Sequence, residues 1–157
     1  MNERKAPEEL RRIWPERQRI IDLWRHLKAV RAEAMAPAPV IISARGKGRK
    51  NYHSGSSQAA KIEKALDMEL RIRELALDYM ERREAVLDKV HALTDAAGIE
   101  ILYRHFFRHE LLKDIARAMG YEYRHLRKLY GRALEEYREI FPEARPDAQE
   151  GEPEKPD

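Results

Sequence analysis

Apolar positions return every seven residues along most of this chain. From about Pro7 to Met35, Ile13, Ile20, Leu27 and Ala34 fall on one stripe, and Trp24 joins them. That period marks an amphipathic helix. Pro15 lacks an amide donor and biases Trp14 away from helical angles, so the main helix either begins near Pro15 or kinks there. Trp14 and Trp24, at helical spacing among Ile and Leu neighbours, are expected in the core.

A longer stripe runs over residues 57–92, where Ala65, Ile72, Tyr79, Val86 and Leu93 repeat every seven residues and Met68 and Leu75 widen it. Asp67–Arg71, Glu69–Arg73 and Asp78–Arg82 place an acid four residues ahead of a base, the favourable order on a helix. At about 1.5 Å per residue this rod is roughly 50 Å long, more than the first helix covers. Either a second copy of the chain packs on the remainder through a coiled-coil-like contact, making a homodimer, or the last helices fold back on it.

Beyond Leu93 the pattern breaks, with Thr94 or Asp95 as candidate N-cap. A helix over about 96–107 presents Ile99, Leu102, Tyr103, Phe106 and Phe107. A short helix follows at 111–119, then Gly120, then a final helix from about Glu122 to Phe141. Leu112, Ile115, Ala116 and Met119 form the buried side of the short helix. Leu126, Tyr130, Ala133 and Tyr137 form the stripe of the last one. Gly120 sits where a left-handed backbone is cheap only for glycine. This is the order of a helix-turn-helix, whose second helix lies in a DNA major groove.

Between the first two helices, residues 36–58 read APAPVIISARGKGRKNYHSGSSQ. Pro, Gly and Ser make this a flexible linker, and it holds no acid. Arg45, Lys47, Arg49 and Lys50 are a candidate DNA arm. The domain reading is thus 1–35 amphipathic helix, 36–58 linker, 59–93 long helix, 94–141 helix-turn-helix, and 142–157 tail.

Charge sharpens this picture. The chain has 157 residues and a net charge of +3. Six acids against two bases put −4 on the last sixteen residues, leaving +7 on residues 1–141. The Pro-rich acidic tail is expected to be disordered. Between Arg104 and Arg132 stand eight Lys or Arg against three acids. Tyr123, Arg124, Arg127 and Lys128 are candidates to reach the groove or its rim, with His125 beside them. Lys113, Arg117 and Arg132 are candidate phosphate contacts.

The run I-A-x-x-M-G at 115–120, then Leu126, then R-A at 132–133, resembles the C-terminal DNA-binding region 4 of sigma factors. More closely, G-Y-x-Y-R-H-x-x-x-L-x-G-R-A-L from Gly120 to Leu134 resembles small phage and prophage regulators of the ArpU and RinA type. The likeness covers about 95–138 and extends more weakly to the upstream helix, linker and long helix. It implies an all-α protein with a sigma-region-4-like helix-turn-helix that binds duplex DNA and controls transcription, with RNA polymerase as a possible partner by resemblance alone. The chain departs from that pattern at Glu122 and at Glu110-Leu111, where Ser or Thr is usual. It also departs near His109, where a Gly is expected.

Other chemistries are weaker. His105 and His109 lie four apart, but the zinc-protease pattern needs Glu where Phe106 stands, so no metal is expected. The pairs Glu135-Glu136 and Glu8-Glu9 sit on exposed faces without a pocket to separate their pKa values. G-K-G at Gly46–Gly48 lacks Walker spacing. With no Cys, disulfides and thiolate sites are excluded. The expectation is a non-enzymatic protein without cofactor, in a bacterial cytoplasm, with no membrane span or signal peptide. Two other readings use the same residues: a DNA-packaging protein like a terminase small subunit, and a protein-interaction adaptor built on the long helix.

Overall fold

The computed structural model describes residues 6–37 and 53–144, and every regular element among them is helical. In chain order these are α1 (Glu8–Met35), α2 (His53–His91), α3 (Ala96–Leu102), a π-helical turn (Tyr103–Phe107), α4 (Leu112–Met119), α5 (Tyr123–Ile140) and a 3-10 turn (Pro142–Ala144). No helix among the described residues is long and apolar enough to cross a membrane. Arg45, Lys47, Arg49 and Lys50 lie outside the described residues, as does the tail beyond Ala144.

α1 neither starts at Pro15 nor splits there; it is one helix with the proline inside it. An interior proline costs about 3 kcal/mol in an isolated helix. Burial on its N-terminal side offsets this, since Ala6, Leu10 and Ile13 all enter the core and Arg11 Nε donates to the Ala6 carbonyl at 2.9 Å. α2 opens at His53, so the end of the predicted linker is already helical. There Gln58 Nε2 donates to the Ala34 carbonyl at 3.0 Å.

The chain divides into two compact units. One comprises residues 18–78. In it α1 and α2 pack through Leu27, Ala65 and Ile72, with Ile20, Leu23, Val30 and Met68 around them. Arg31 of α1 pairs with Glu69 of α2, whose other carboxylate oxygen takes Arg73 at 2.8 Å. The Arg73 hydrogen bond, opposed by partial burial and helped by Arg31, holds the Glu69 carboxyl below its usual range. Trp24 does not join this core; it is 37% exposed. It lies at the flank of the buried stripe, where one more partner helix would be needed to cover it.

The other unit comprises residues up to 17 and from 79 onward. Leu10, Ile13, Val86, Val90, Leu93, Leu102, Phe106, Phe107, Ala133, Leu134 and Tyr137 form its main cluster. The expected pairing of Asp78 with Arg82 is replaced by a contact from Arg82 to Glu16 at 3.1 Å. Asp95 caps α3, its side chain accepting from the Ala97 amide at 3.1 Å. Thr94 is used differently: its amide and hydroxyl both donate to Glu136 of α5.

The expected helix over 96–107 ends in a wide turn, where the Arg108 amide reaches the Tyr103 carbonyl. In an ordinary α-helix Phe106 and Phe107 would point about 100° apart. Opening the turn lets both consecutive rings enter the core, at 7% and 6% exposure. Pro142–Ala144, expected in the tail, instead form an ordered turn with Ala144 packed on the core.

Candidate nucleic-acid interface

α4 and α5 carry the residues that the sequence singled out. Ile115 and Ala116 of α4 meet Leu126 and Leu129 of α5 and Ile101 of α3 in a second apolar cluster, closed by Leu112, Met119, Tyr121 and Tyr130. The apolar spacing therefore turns one side of each helix inward. α3 supplies the third wall: a Cβ added at Gly98 would lie 3.0 Å from Ala133 Cβ, so α3 and α5 touch almost backbone to backbone. That close approach was not read from the sequence, where Gly98 carries no period or turn signal.

The turn follows from Gly120. It adopts φ +72°, and the Tyr121 amide bonds the Ala116 carbonyl at 2.9 Å while the Gly120 amide reaches Arg117 at 3.4 Å. This pair of bonds satisfies the last carbonyls of α4 and swings the chain into α5. Neither helix has a side-chain N-cap, consistent with Leu111 and Glu122 at those positions.

The connection before α4 has its own left-handed residue, His109 at φ 56°. The phage-regulator pattern that the sequence resembles has glycine near this place. Histidine tolerates the left-handed region better than most residues, and here its ring stacks on Trp14 at 4.6 Å, 4° from parallel. Arg17 lies over the same indole at 5.1 Å. Trp14 is thus half-buried as a platform and not enclosed in the core. His105 is engaged elsewhere, its Nδ1 2.9 Å from the Glu110 carbonyl oxygen. The two histidines go separate ways.

Every candidate contact residue on α4 and α5 is exposed: Lys113, Arg117, Tyr123, Arg124, His125, Arg127, Lys128 and Arg132. Helical spacing centres Arg124 and Lys128 on the outward side of α5, with Arg127 on one flank and His125 and Arg132 on the other. Arg127 leans over the Tyr123 ring at 5.8 Å. His125 turns its ring edge to Tyr121 at 5.4 Å, which settles its direction as outward. Arg117 stands 3.8 Å from Asp114, an exposed pair of little strength. Among the described residues Lys113, Arg124, Arg127, Lys128 and Arg132 form no ion pair. Gly131 continues the outward side, and an added Cβ there would meet nothing. This bare patch of helix beside Arg124, Arg127 and Lys128 was missed in the sequence, where only the gap in side-chain size marks it.

The far end of α5 is anchored. Tyr137 is fully buried and donates to the Glu9 carboxylate, which also accepts from Lys89 Nζ at 3.0 Å. Lys89 further meets Glu143 at 3.4 Å. Burial, reinforced by the Glu9 charge, pushes the Tyr137 hydroxyl well above its ordinary range. Burial works against the Lys89 charge, but Glu9 and Glu143 outweigh it and its pKa rises. α5 is therefore fixed at one end by a charged cluster and along its length by two apolar ones, while the outward side of its N-terminal half is exposed. Comparison with protein-family models, curated proteins and solved structures returns no match for this chain.

Proposed function

We propose that α5 binds double-stranded DNA in the major groove and that the protein regulates transcription of phage or prophage genes. The observation that carries the reading is the division of labour on α5. Its inward side is locked in two apolar clusters, and its outward side offers Arg124, Arg127 and Lys128, none held by a carboxylate among the described residues. Arg can grip guanine edges with two hydrogen bonds, and Lys can neutralise phosphate. Lys113 and Arg117 on α4 and Arg132 on α5 flank that surface and serve the phosphates. The bare backbone at Gly131 allows close approach. The transcriptional role, and RNA polymerase as a partner, rest on the resemblance of residues 115–134 to sigma region 4 and to phage regulators.

The test is binding to a pool of duplex fragments from the neighbouring genome, followed across a salt series. One fragment should be retained, with affinity falling steeply as salt rises. Arg124→Glu with Arg127→Glu should weaken it by at least about a hundredfold. Sequence-blind binding, or a double variant that binds as well as the wild type, would sink the proposal.

A further inference from the structure

The hairpin of residues 18–78 spends one apolar stripe of α2 on its own core and leaves a second one outside. Ala65 and Ile72 are buried against α1. Ile62, Leu66, Leu70 and Leu77, at helical spacing on the adjacent side, are 41%, 55%, 62% and 62% exposed. The heptad that suggested a dimer in the sequence is therefore used up within the chain, and the exposed stripe is a different one. The Arg31–Glu69 pair fixes which side of the hairpin it shares. On α2, Glu69 stands between buried Ile72 and exposed Leu66. On α1, Arg31 stands between buried Leu27 and exposed Trp24. Trp24 and the leucine stripe thus flank the same ion pair, on one face.

We infer that this face is a self-association surface, on which a second copy of the chain packs to complete a four-helix bundle. Three observations select a second copy as occupant. The first is charge. α1 borders the face with Lys28 and with Arg25, which also meets Asp22 at 3.2 Å, beside Ile21 and Trp24, around a shallow groove of about 450 Å³. α2 borders it with Glu63, Asp67 and Glu74, each three residues ahead of a stripe leucine and each exposed. A face with a basic edge and an acidic edge is self-complementary under a two-fold axis running along the helices. Each copy's α1 edge then meets the other's α2 edge, and every helix lies antiparallel to its new neighbour.

The second observation is the small size of the hairpin's own core, which among the described residues encloses Leu27, Ala34, Ala65 and Ile72. So small a core leaves much of the apolar surface of both helices to be covered from outside. The third is area. The four stripe residues and Trp24 expose on the order of 500 Å² of apolar surface, the upper end of what a monomer leaves in one patch. With its charged edges the face approaches the roughly 800 Å² per partner of a standard interface.

Sedimentation equilibrium of the full chain, without DNA, tests this independently of any operator. The wild type should run at twice the 18.5 kDa of one chain. Leu66→Glu with Leu70→Glu should run at the single-chain mass, with its helical circular dichroism retained because neither side chain is in a core. Lys28→Glu should weaken the dimer by about tenfold or more, and adding Asp67→Lys should restore it. A wild type that stays at the single-chain mass at high micromolar concentration overturns the inference. So does a Leu66/Leu70 variant that still dimerises, or a charge swap that restores nothing.

Discussion

The two units of this chain are written in the same seven-residue code and end in opposite conditions. In the unit containing residues 79–144, the stripe of α2 at Tyr79, Val86 and Val90 is enclosed, with Leu93 just beyond it, together with the inward sides of α3, α4 and α5. In the hairpin of residues 18–78 the equivalent stripe is enclosed too, but only against α1, and the next row of leucines faces water. Periodicity alone does not tell these situations apart. How many other helices surround a stripe does, and that depends on where the short elements fold. The larger unit has three such helices within reach; the hairpin has one pair.

That contrast is open to direct attack. Leu126 is fully buried where α3, α4 and α5 meet, whereas Leu70 is mostly exposed. Leu126→Ala should cost about 3 kcal/mol in chemical denaturation, and Leu70→Ala less than about 0.5 kcal/mol in dilute solution. Equal losses would mean that the exposed row is already covered, by the second copy or otherwise.

Alkali should separate the units next. Tyr137 and Lys89 both have raised pKa values in the folded state. Their contribution is therefore complete below the ordinary values, near pH 10, and is lost as pH rises beyond them. Thermal unfolding of the larger unit should lose roughly 1.4 kcal/mol per pH unit for each such group above about pH 10. Tyr137→Phe should remove the tyrosine share of that slope; an unchanged slope would show that the Tyr137 hydroxyl carries none of it.

The smallest of these effects concerns the start of α3. Asp95→Ala removes the only side-chain cap described for α3, α4 and α5 and should cost about 1 kcal/mol. Asp95→Asn should recover most of this, since the amide oxygen can accept the same Ala97 bond. Both are read from the unfolding midpoint.

Much of the candidate interface was legible beforehand, because it depends on local rules. Gly120 announces its left-handed turn, and the spacing of Leu126, Tyr130, Ala133 and Tyr137 fixes which side of α5 is left for Arg124 and Lys128. His109 was less readable. A non-glycine residue takes φ 56° there with Trp14, nearly a hundred positions away, stacked on its ring. The two tryptophans were read alike and differ in the structure, one a half-buried platform and the other exposed beside an apolar groove.

The sequence by itself determined the helices, their inward sides and the exposed cations, since these follow from periodicity, turn chemistry and charge within a few residues of each position. It did not determine that Pro15 lies inside an unbroken helix, that a π turn brings Phe106 and Phe107 into one core, or that Glu9 anchors α5 through Tyr137. Those outcomes were decided by tertiary structure, because each balances a local penalty against burial or pairing with residues distant in the chain.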